Sequence, residues 1–496
     1  MLTVLPAFRG WWDDWGVAQN FLLGDRDQLW LMPPSVADWL PSGHLARFVV
    51  DVVDELDLSD FVSMYRGDGR GGAAYPPGVM VALIVYAYAV GELSSRKIQK
   101  RCVEDVGFRF VAANLVPDHA TIARFRVTHA AALAGLFGQV LALCDKAGLI
   151  KAGLLAVDGT KMGANASREA NRTAEQLAKD LLDAAAETDA AEDVLFGDGD
   201  GDQNLVPEEM TGSGRKAKIR AMLDELNAEA KAHSFEERMR ERAEKEAVKG
   251  GRLQGREPKA GSDQFKSRKH SNMTDPQSRM QKVRGGGFIQ GYNAQIIVTN
   301  DQFVVAAQVT NKVTDNAQFT PLLTAAKTNL RRTRVRRHRV RIVLADAGYW
   351  GVDNANTPGV EVFIAPGNTR KIGQIAEKEA VRAGVLDQIE AGEVTAEHAM
   401  HELGIGRNQV DKLLRDRRRG TLPLTALMAA KLATPRGKRL YKKRSASVEP
   451  VFAQIKHNRK IRSFSRRGLV AVDHEWQLIT ATHNLLKLWR ATTIPA

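Results

Sequence analysis

The sequence predicts an α/β fold preceded by an all-α region, and three patterns lead to this prediction. Apolar residues recur at helical spacing in HLARFVVDVVDELDL, GVMVALIVYAYAV and AALAGLFGQVLALCDKAGL, all within residues 28–150. From Leu154 the chain changes to short apolar runs, LLAVDGTK, RIVLADAGYW and VEVFIAP, which are typical of buried strands. Two β-rich runs also flank Asn300-Asp301, which is a hairpin signal, and a helical pattern follows them. Strands that alternate with helices in this way indicate an α/β sheet.

Composition points to a basic protein with a polyanionic partner. The chain has 496 residues, a formal net charge of +13 and a pI of about 9.6. At roughly 150 residues per domain, this length predicts about three domains. The excess of positive charge favours nucleic acid as the partner. Cys102 and Cys144 lie far apart, which excludes a disulfide framework or a cysteine-based zinc site and fits a reducing compartment.

We expect a cytoplasmic protein, associated with the nucleoid through DNA, that does not enter a membrane. The first residues, MLTVLPAFRGWWDDWG, lack a basic segment followed by an apolar one, as a signal peptide would have. The longest apolar run, residues 78–91, is too short to span a bilayer and is interpreted as a buried helix.

Two basic residues lie on a predicted helix of the all-α region. Ser94 or Ser95 can cap one short helix, and Asp118 can cap the next, which carries Arg124 and Arg126. A helix-turn-helix that binds DNA fits this pattern. An ordinary helical bundle with arginines on its solvent face fits it equally well.

A second candidate helix-turn-helix lies within residues 369–422. The segment TAEHAMHELGIGRNQVDKLLRDRRRG has a glycine-containing turn between two apolar helical patterns, and a plain helical hairpin is the alternative. The second helix would present to DNA Arg407, Asn408, Lys412 and Arg415.

Two further basic stretches predict contacts to DNA phosphates. Residues 331–341, RRTRVRRHRVR, contain seven arginines, among them Arg336 and Arg337. Residues 441–467 contain nine lysines and arginines, among them Lys460, and one carboxylate, Glu449. Phosphate contacts provide affinity and salt dependence but no sequence choice. A stretch that only binds DNA does not need the single glutamate, so Glu449 is a candidate for chemistry.

Three carboxylates form the candidate catalytic site. Asp158 and Asp346 each end an apolar run, and carboxylates at strand ends gather at one edge of an α/β sheet. Glu449 is predicted in the first turn of a helix, with Ser447 as N-cap and Pro450 tolerated so early. Three converging carboxylates can hold two Mg²⁺ or Mn²⁺ ions about 4 Å apart. One ion would activate a water or a 3′-hydroxyl, and the other would stabilise the departing oxygen.

The sequence resembles the bacterial insertion-sequence DDE transposases, in the eleven-eighty-two-like branch. Matching segments are YPPGVMVALIVYAYAVGELSSRKI and DHATIARFR in the head, and AVDGTK, GYNAQ, LADAGY and VEPVFAQIK in the core. The resemblance implies an α/β RNase H-like catalytic core with a mixed sheet flanked by helices, an all-α N-terminal DNA-binding domain and helical insertions. It implies transposition by DNA cleavage and strand transfer on terminal inverted repeats and target DNA, with divalent metal and no covalent protein–DNA intermediate.

The resemblance also assigns residues. The family's three acids fall on Asp158, Asp346 and Glu449, which would hold the metal. Its supporting residues fall on Tyr441, Arg444 and Lys456. The related signature has three residues between the arginine and the glutamate, whereas four separate Arg444 from Glu449. A homodimer on DNA is expected, since two element ends must be paired.

The predicted organisation has six parts, of which the core occupies separate stretches of chain. They are an N-terminal tail that can be disordered (1–27), the helical DNA-binding head (28–150), the RNase H-like core (151–164 and 286–368), a helical insertion (165–285), a helix-turn-helix-like insertion (369–422) and the C-terminal part of the core with the catalytic glutamate (423–496).

Two other classes of protein remain compatible with the sequence. Another RNase H-like DNA nuclease or resolvase would share the metal site without the paired DNA-binding modules. A catalytically inactive DNA-binding regulator would use only the helix-turn-helix segments. The three acids and the strand order argue against the regulator, and the helical head and second helix-turn-helix argue against a bare nuclease.

Overall fold

The fold is described from a computed structural model. The structure describes residues 35–65, 74–173, 270–283, 286–333, 338–367, 372–418 and 424–493, together with isolated helical residues between 176 and 242. The predicted tail (1–27), most of the predicted insertion (165–285), and Arg336 and Arg337 lie outside the described residues.

The N-terminal part is helical, as the sequence predicts. Ser94 caps α4 by accepting a hydrogen bond from the N–H of Lys97, and Asp118 caps α6 through the N–H groups of Ala120 and Thr121. A short helix, α5, lies between these two, so the candidate head helix-turn-helix contains an extra element. The helices are α1 (Leu45–Asp54), α2 (Ser59–Val62), α3 (Pro77–Val90), α4 (Ser95–Glu104), α5 (Val106–Val111), α6 (His119–Thr128) and α7 (Ala130–Lys146).

A mixed sheet follows the helices. Strand β1 pairs antiparallel with β5 and parallel with β7, which pairs parallel with β8. The other edge of β5 pairs with β4 at its N-terminal end and with β6 along the rest, through the predicted hairpin. The strands are β1 (Leu154–Gly163), β2 (Asn171–Thr173), β3 (His270–Asn272), β4 (Arg279–Lys282), β5 (Phe288–Thr299), β6 (Val304–Thr310), β7 (Ile342–Ala345) and β8 (Glu361–Ile364).

The expectation that the first buried strand ends at Asp158 is wrong. Strand β1 continues to Gly163 because its edge toward β5 remains paired through Gly163 with Gly291. Its pairing with β7 stops at Ala156 with Leu344, so Asp158 lies two residues beyond the last parallel pair. Asp158 therefore lies in the middle of β1, where the edge toward β7 is no longer paired.

The remaining helices connect and cover the sheet. Helix α8 joins β6 to β7 and packs on β5 and β6, while α14 packs on β1, β5 and β7. They are α8 (Phe319–Arg332), α9 (Val352–Ala355), α10 (Ile372–Glu390), α11 (Ala396–Leu403), α12 (Arg407–Arg418), α13 (Leu424–Ala433), α14 (Pro435–Ala453) and α15 (Leu469–Thr493).

Glu449 does not lie in a first helical turn, so that expectation is wrong as well. Helix α14 begins fourteen residues earlier, at Pro435, with Thr434 as N-cap. Ser447 is buried inside the helix, where its hydroxyl donates to the carbonyl of Lys443 at 2.7 Å. Pro450 lacks an N–H, and the carbonyl of Ala446, which that N–H would have bonded, accepts instead from the amide of Gln302 at 3.2 Å.

Helix α15 joins the helical head to the sheet. It packs against α3 and α7 on one side and against β6 on the other. Trp476 on α15 is fully buried, and its indole N–H donates to the carbonyl of Gln295 on β5 at 3.0 Å. A single hydrophobic cluster consequently runs from the head into the sheet. Contiguous burial of this kind makes the head and the sheet one packed body around α15.

Among the described residues, no single helix has both the length and the apolar content that a membrane crossing requires. Two strongly bent helix pairs, Pro77–Val90 with Ser95–Glu104 and His119–Thr128 with Ala130–Lys146, reach that level by length and composition only. Helix α3 is buried along most of its length within the hydrophobic cluster.

Candidate active site at the open end of the sheet

Asp158 and Asp346 lie side by side, as predicted. Leu344 of β7 pairs with Ala156 of β1, and each aspartate is two residues beyond that pair. Neighbouring strands run about 5 Å apart, which brings the two carboxylates to one small region of the sheet edge. Asp158 Oδ1 accepts the N–H of Gly159 at 2.8 Å, and Asp346 Oδ1 accepts the N–H of Gly348 at 2.9 Å.

Burial raises the pKa of both acids, and a neighbouring carboxylate adds to the shift in each case, Asp346 for Asp158 and Asp315 for Asp346. Burial raises the pKa of Asp158 to about 6, with Arg444 opposing the shift and Asp346 adding to it. Burial also raises the pKa of Asp346, again against the effect of Arg444. Two partly desolvated carboxylates that repel each other are stabilised by a nearby cation. Perturbed acids of this kind are typical of functional sites.

Helix α14 supplies the supporting residues that the resemblance predicts. Arg444 Nη1 donates to Asp158 Oδ2 at 2.9 Å, and the Tyr441 hydroxyl donates to the carbonyl of Ala345 at 3.1 Å. The ammonium of Lys456 donates to Thr160 Oγ1 at 2.6 Å and to the carbonyl of Lys161 at 2.8 Å. Burial lowers the pKa of Lys456 to about 8, with Arg462 adding to the effect. Three side chains of α14 and the π-helical turn after it thus contact the region of the two aspartates.

The structure does not bring Glu449 together with Asp158 and Asp346. Glu449 is exposed, whereas Arg444 on the same helix faces Asp158. Glu449 lies five positions after Arg444, which is about 140° around an α-helix, so the two side chains cannot face the sheet edge together. Within the described residues, no group of three or more His, Cys, Asp or Glu side chains is arranged to hold a metal ion.

A third aspartate that the sequence did not single out belongs to the same region. Asp315 Oδ1 accepts from Asn293 Nδ2 at 2.6 Å and from Gln295 Nε2 at 2.8 Å, and Lys161 Nζ lies 3.6 Å away. Asn293 and Gln295 occupy alternate positions on one face of the buried strand β5. The motif GYNAQ contained a signal for such a partner. Its two amides lie at alternate positions of a buried strand, and buried amides require hydrogen-bond partners.

The expectation that Arg126 binds DNA is wrong. Its side chain is buried, with 7% of the residue exposed, and its guanidinium lies 3.4 Å from the carboxylate of Glu475 on α15. It also donates to the hydroxyl of Tyr88 at 2.5 Å and to the carbonyl of Leu93 at 2.7 Å. Arg124, two residues earlier on α6, is exposed and remains a candidate.

The second candidate helix-turn-helix is present as two helices, α11 and α12, joined by residues 404–406. Ala399 and Val410 pack with Val385 of α10 in a small separate cluster. On α12, three of the predicted DNA-binding residues are exposed and Lys412 is partly buried; the exposed ones are Arg407, Asn408 and Arg415. Lys460 is exposed too, but it follows the helix and has a left-handed backbone, with φ of 58°.

Two family models match the chain. Residues 34–128 match a model described as "Transposase domain (DUF772)", and residues 417–489 match one described as "Transposase DDE domain". Comparisons with curated proteins and with solved structures gave no match. The first match covers α1 to α6, and the second covers α14 with Arg444, Glu449 and Lys456.

A chain with a transposase domain in its helical head and a DDE domain that covers the helix beside two sheet-edge aspartates is a DNA-processing enzyme. It is an insertion-sequence DDE transposase, and the family's activity is that of a DNA endonuclease and strand transferase.

Proposed function

We propose that the chain has an RNase H-like core that cleaves and joins DNA at element ends by metal-dependent phosphoryl transfer, with Asp158, Asp346 and Glu449 as catalytic residues. The observation that carries this proposal is the pair of half-buried aspartates that lie two residues beyond the last parallel pair of β1 and β7, both with a pKa raised by burial. The mixed sheet, with α8 and α14 packed on it, agrees with the architecture that the family implies.

The two aspartates fit as ligands of Mg²⁺ or Mn²⁺. Both offer hard carboxylate oxygens, and both have a pKa raised by burial, so a cation would relieve an unfavourable charge. When bound, divalent metal would lower the pKa of the attacking water or hydroxyl and stabilise the leaving oxygen. In our proposal Glu449 is the third ligand, and two ions are expected.

Arg444 and Glu449 would exchange places in this proposal. In the structure, Arg444 neutralises Asp158 through a 2.9 Å contact. DNA phosphates offer the guanidinium an alternative partner, and its departure would leave Asp158 Oδ2 free for metal. A rotation of α14 would then carry Glu449 toward the aspartates. The helix has two irregularities next to Glu449, the proline at 450 and the π-helical turn Gln454–Asn458, where bending costs least.

The proposal is tested by replacing Glu449 with glutamine. Mg²⁺-dependent cleavage of DNA that carries the element's own ends would be measured for the wild type and for Glu449→Gln, together with binding of both to the same DNA. Glutamine keeps the size of the side chain and removes the charge that metal requires. We expect cleavage to fall by orders of magnitude while binding persists.

Other outcomes separate the alternatives. Equal cleavage by both proteins would show that Glu449 is not a ligand. Binding without cleavage by either protein would favour a catalytically inactive DNA-binding regulator. Cleavage by the wild type on any duplex, without preference for element ends, would favour a general RNase H-like nuclease or resolvase.

DNA recognition is proposed for the second helix-turn-helix, because Arg407 and Arg415 are exposed on α12. Each phosphate contact releases counterions and contributes about 0.9 to the slope of log K against log salt concentration. Replacing both arginines with glutamine should therefore weaken binding and reduce that slope by about 2. The measurement is fluorescence anisotropy over a salt series. An unchanged slope would show that α12 does not contact phosphates.

We also infer that two chains act together on a pair of element ends. The net charge of +13 makes a complex of two chains without DNA electrostatically costly, so pairing is expected on DNA. Mass measurement of the complex with and without element ends tests this.

A further inference from the structure

We propose that Asp315 is a positioning residue of the active site, which holds the Asp346 loop and Lys161 in place through a network of buried amides. This inference rests on the proposed function, since it concerns the geometry of the two catalytic aspartates. Three separate segments of chain meet at Asp315: strand β1, strand β5 and the turn after β7.

One carboxylate oxygen of Asp315 is saturated. Oδ1 accepts from the amides of Asn293 and Gln295 at 2.6 and 2.8 Å, and Lys161 Nζ lies 3.6 Å from it. The amides are themselves joined, because Gln295 Nε2 also donates to Asn293 Oδ1 at 2.9 Å. Both amide residues are fully buried. A buried amide pair that shares one carboxylate oxygen fixes that oxygen strictly, because any shift would leave a buried donor unsatisfied.

The second oxygen of Asp315 lies beside Gly348, in the turn that carries Asp346. A Cβ placed on Gly348 would lie 3.0 Å from Asp315 Oδ2 and 3.1 Å from Asp346 Oδ1. Gly348 therefore lets two carboxylates approach the same point, and any side chain there would press against both. Asp315 contributes to the raised pKa of Asp346, behind the larger effect of burial.

The network continues to the aromatic ring after Asp346. The buried hydroxyl of Tyr349 donates to Gln295 Oε1. On β1, a Cβ at Gly159 would come within 2.3 Å of Gln295 Nε2, so the amide needs a glycine next to Asp158. The conformation of the turn that carries Asp346 and the position of the strand that carries Asp158 thus both depend on Gln295 and, through it, on Asp315.

Lys161 is the charge partner of this network. Its ammonium donates to the carbonyl of Val313 at 3.0 Å and is attracted by Asp315, Asp346 and Asp158. Without Asp315, the ammonium would lose its nearest counter-charge and the loop would lose its anchor. We expect this to weaken metal binding at Asp158 and Asp346, because residues that orient ligands usually change metal affinity or activity about 10- to 100-fold.

The test compares Asp315→Asn with a matched control, Glu361→Gln. Glu361 is a partly exposed carboxylate with two cationic partners, Arg436 and Lys431, at the other end of β8 from the site. Asparagine at 315 keeps the acceptor for the two amides but replaces the other oxygen, which lies beside Gly348, with an NH2 donor. We expect cleavage at limiting Mg²⁺ to fall about 10- to 100-fold, with partial recovery at high Mg²⁺. Affinity for Mn²⁺, measured by electron paramagnetic resonance on the complex with element-end DNA and corrected for the ions that the DNA alone binds, should fall in parallel, while DNA affinity stays unchanged.

Three results would overturn the inference. Asp315→Asn could behave like Glu361→Gln in both readouts, or it could lose all cleavage without recovery at high Mg²⁺, as a direct ligand would. It could also lose cleavage with unchanged Mn²⁺ affinity. If Asp315→Asn does not fold, Tyr349→Phe removes only the hydroxyl that Gln295 accepts from, and a smaller shift in the same direction is expected. Asp158→Asn separates failure of this inference from failure of the proposed function. If Asp158→Asn cleaves DNA normally, the proposed function itself fails.

Discussion

Replacement of Asp158 by asparagine is expected to reduce DNA cleavage by about three orders of magnitude while DNA binding persists. Asparagine has nearly the same shape, so the change removes a unit charge from the site and little else. Two unit charges about 4 Å apart interact by about 4 kcal/mol at the effective dielectric constant of about 20 that describes protein sites. Lost from the transition state, that energy corresponds to about a thousandfold in rate. Single-turnover cleavage of element ends, with Glu361→Gln as control, measures it.

The same variant also tests the charge of Asp158 through the pH dependence of the free energy of unfolding. Burial raises the pKa of Asp158 to about 6 in the folded, metal-free protein, whereas an unfolded aspartate titrates near 3.9. The folded state then binds more protons between these values, so the wild type loses stability as the pH rises through this window. The variant lacks this loss. We expect the wild type to lose stability relative to Asp158→Asn from about pH 4 to about pH 6, and no further change above. A constant difference across this window would contradict the buried charge.

The parts of the fold that the sequence predicts are those set by local patterns. Short apolar runs mark β1, β7 and β8, because strands buried on both faces need apolar side chains at every position. Capping residues mark the starts of α4 and α6, since Ser94 and Asp118 accept backbone N–H groups that a helix leaves unpaired. The adjacency of Asp158 and Asp346 also follows, because each comes directly after an apolar run and the two runs pair in parallel.

The position of Glu449 could not be predicted, because the residues around it indicate a helix start that is not there. Ser447 and Pro450 form a combination that often starts a helix. Here Ser447 bonds back to Lys443 within the helix, and Gln302 satisfies the carbonyl left by Pro450. The partner of that carbonyl lies on the β5–β6 hairpin, far away in the sequence. No window around Glu449 contains that information.

The network around Asp315 could not be predicted because its members come together only through strand register. Lys161 and Gly159 lie opposite Asn293 and Gln295 once β1 and β5 are paired. The motifs AVDGTK, GYNAQ and LADAGY are each visible in the sequence, but the pairing that puts Gln295 between Gly159 and Tyr349 is not. The partners of a polar side chain in a sheet lie on the neighbouring strand, so they are known only once the strand pairing is known.

Arg126→Met is expected to destabilise the protein by about 3–5 kcal/mol, the usual cost of removing one partner of a buried ion pair. Glu475 is 4% exposed, and its carboxylate accepts from the N–H groups of Ser465 and Arg466 at 2.9 and 3.0 Å. Those bonds would remain, but the negative charge would have lost its cation in a buried setting. Methionine fills a similar volume, so a cavity contributes little. Chemical denaturation measures the change in the free energy of unfolding.

Arg124→Met is the matched control, since Arg124 is exposed on the same helix two residues away. Its effect on stability should remain within about 0.5 kcal/mol. If Arg124 contacts DNA, Arg124→Met weakens DNA binding. We therefore expect Arg126→Met to lower stability and Arg124→Met to lower DNA affinity. A loss of DNA affinity with unchanged stability in Arg126→Met would contradict the buried pairing.

A double-mutant cycle with Glu475→Gln then measures the pair itself. Removing both charges leaves neither one uncompensated, so Arg126→Met with Glu475→Gln should cost less than the two single changes added together. Arg126 lies on the helical head and Glu475 on the helix that packs against the sheet. A large coupling energy would therefore mean that the head and the catalytic part of the transposase are held in one fixed arrangement. DNA bound by exposed residues of the head would then have a defined direction relative to Asp158 and Asp346.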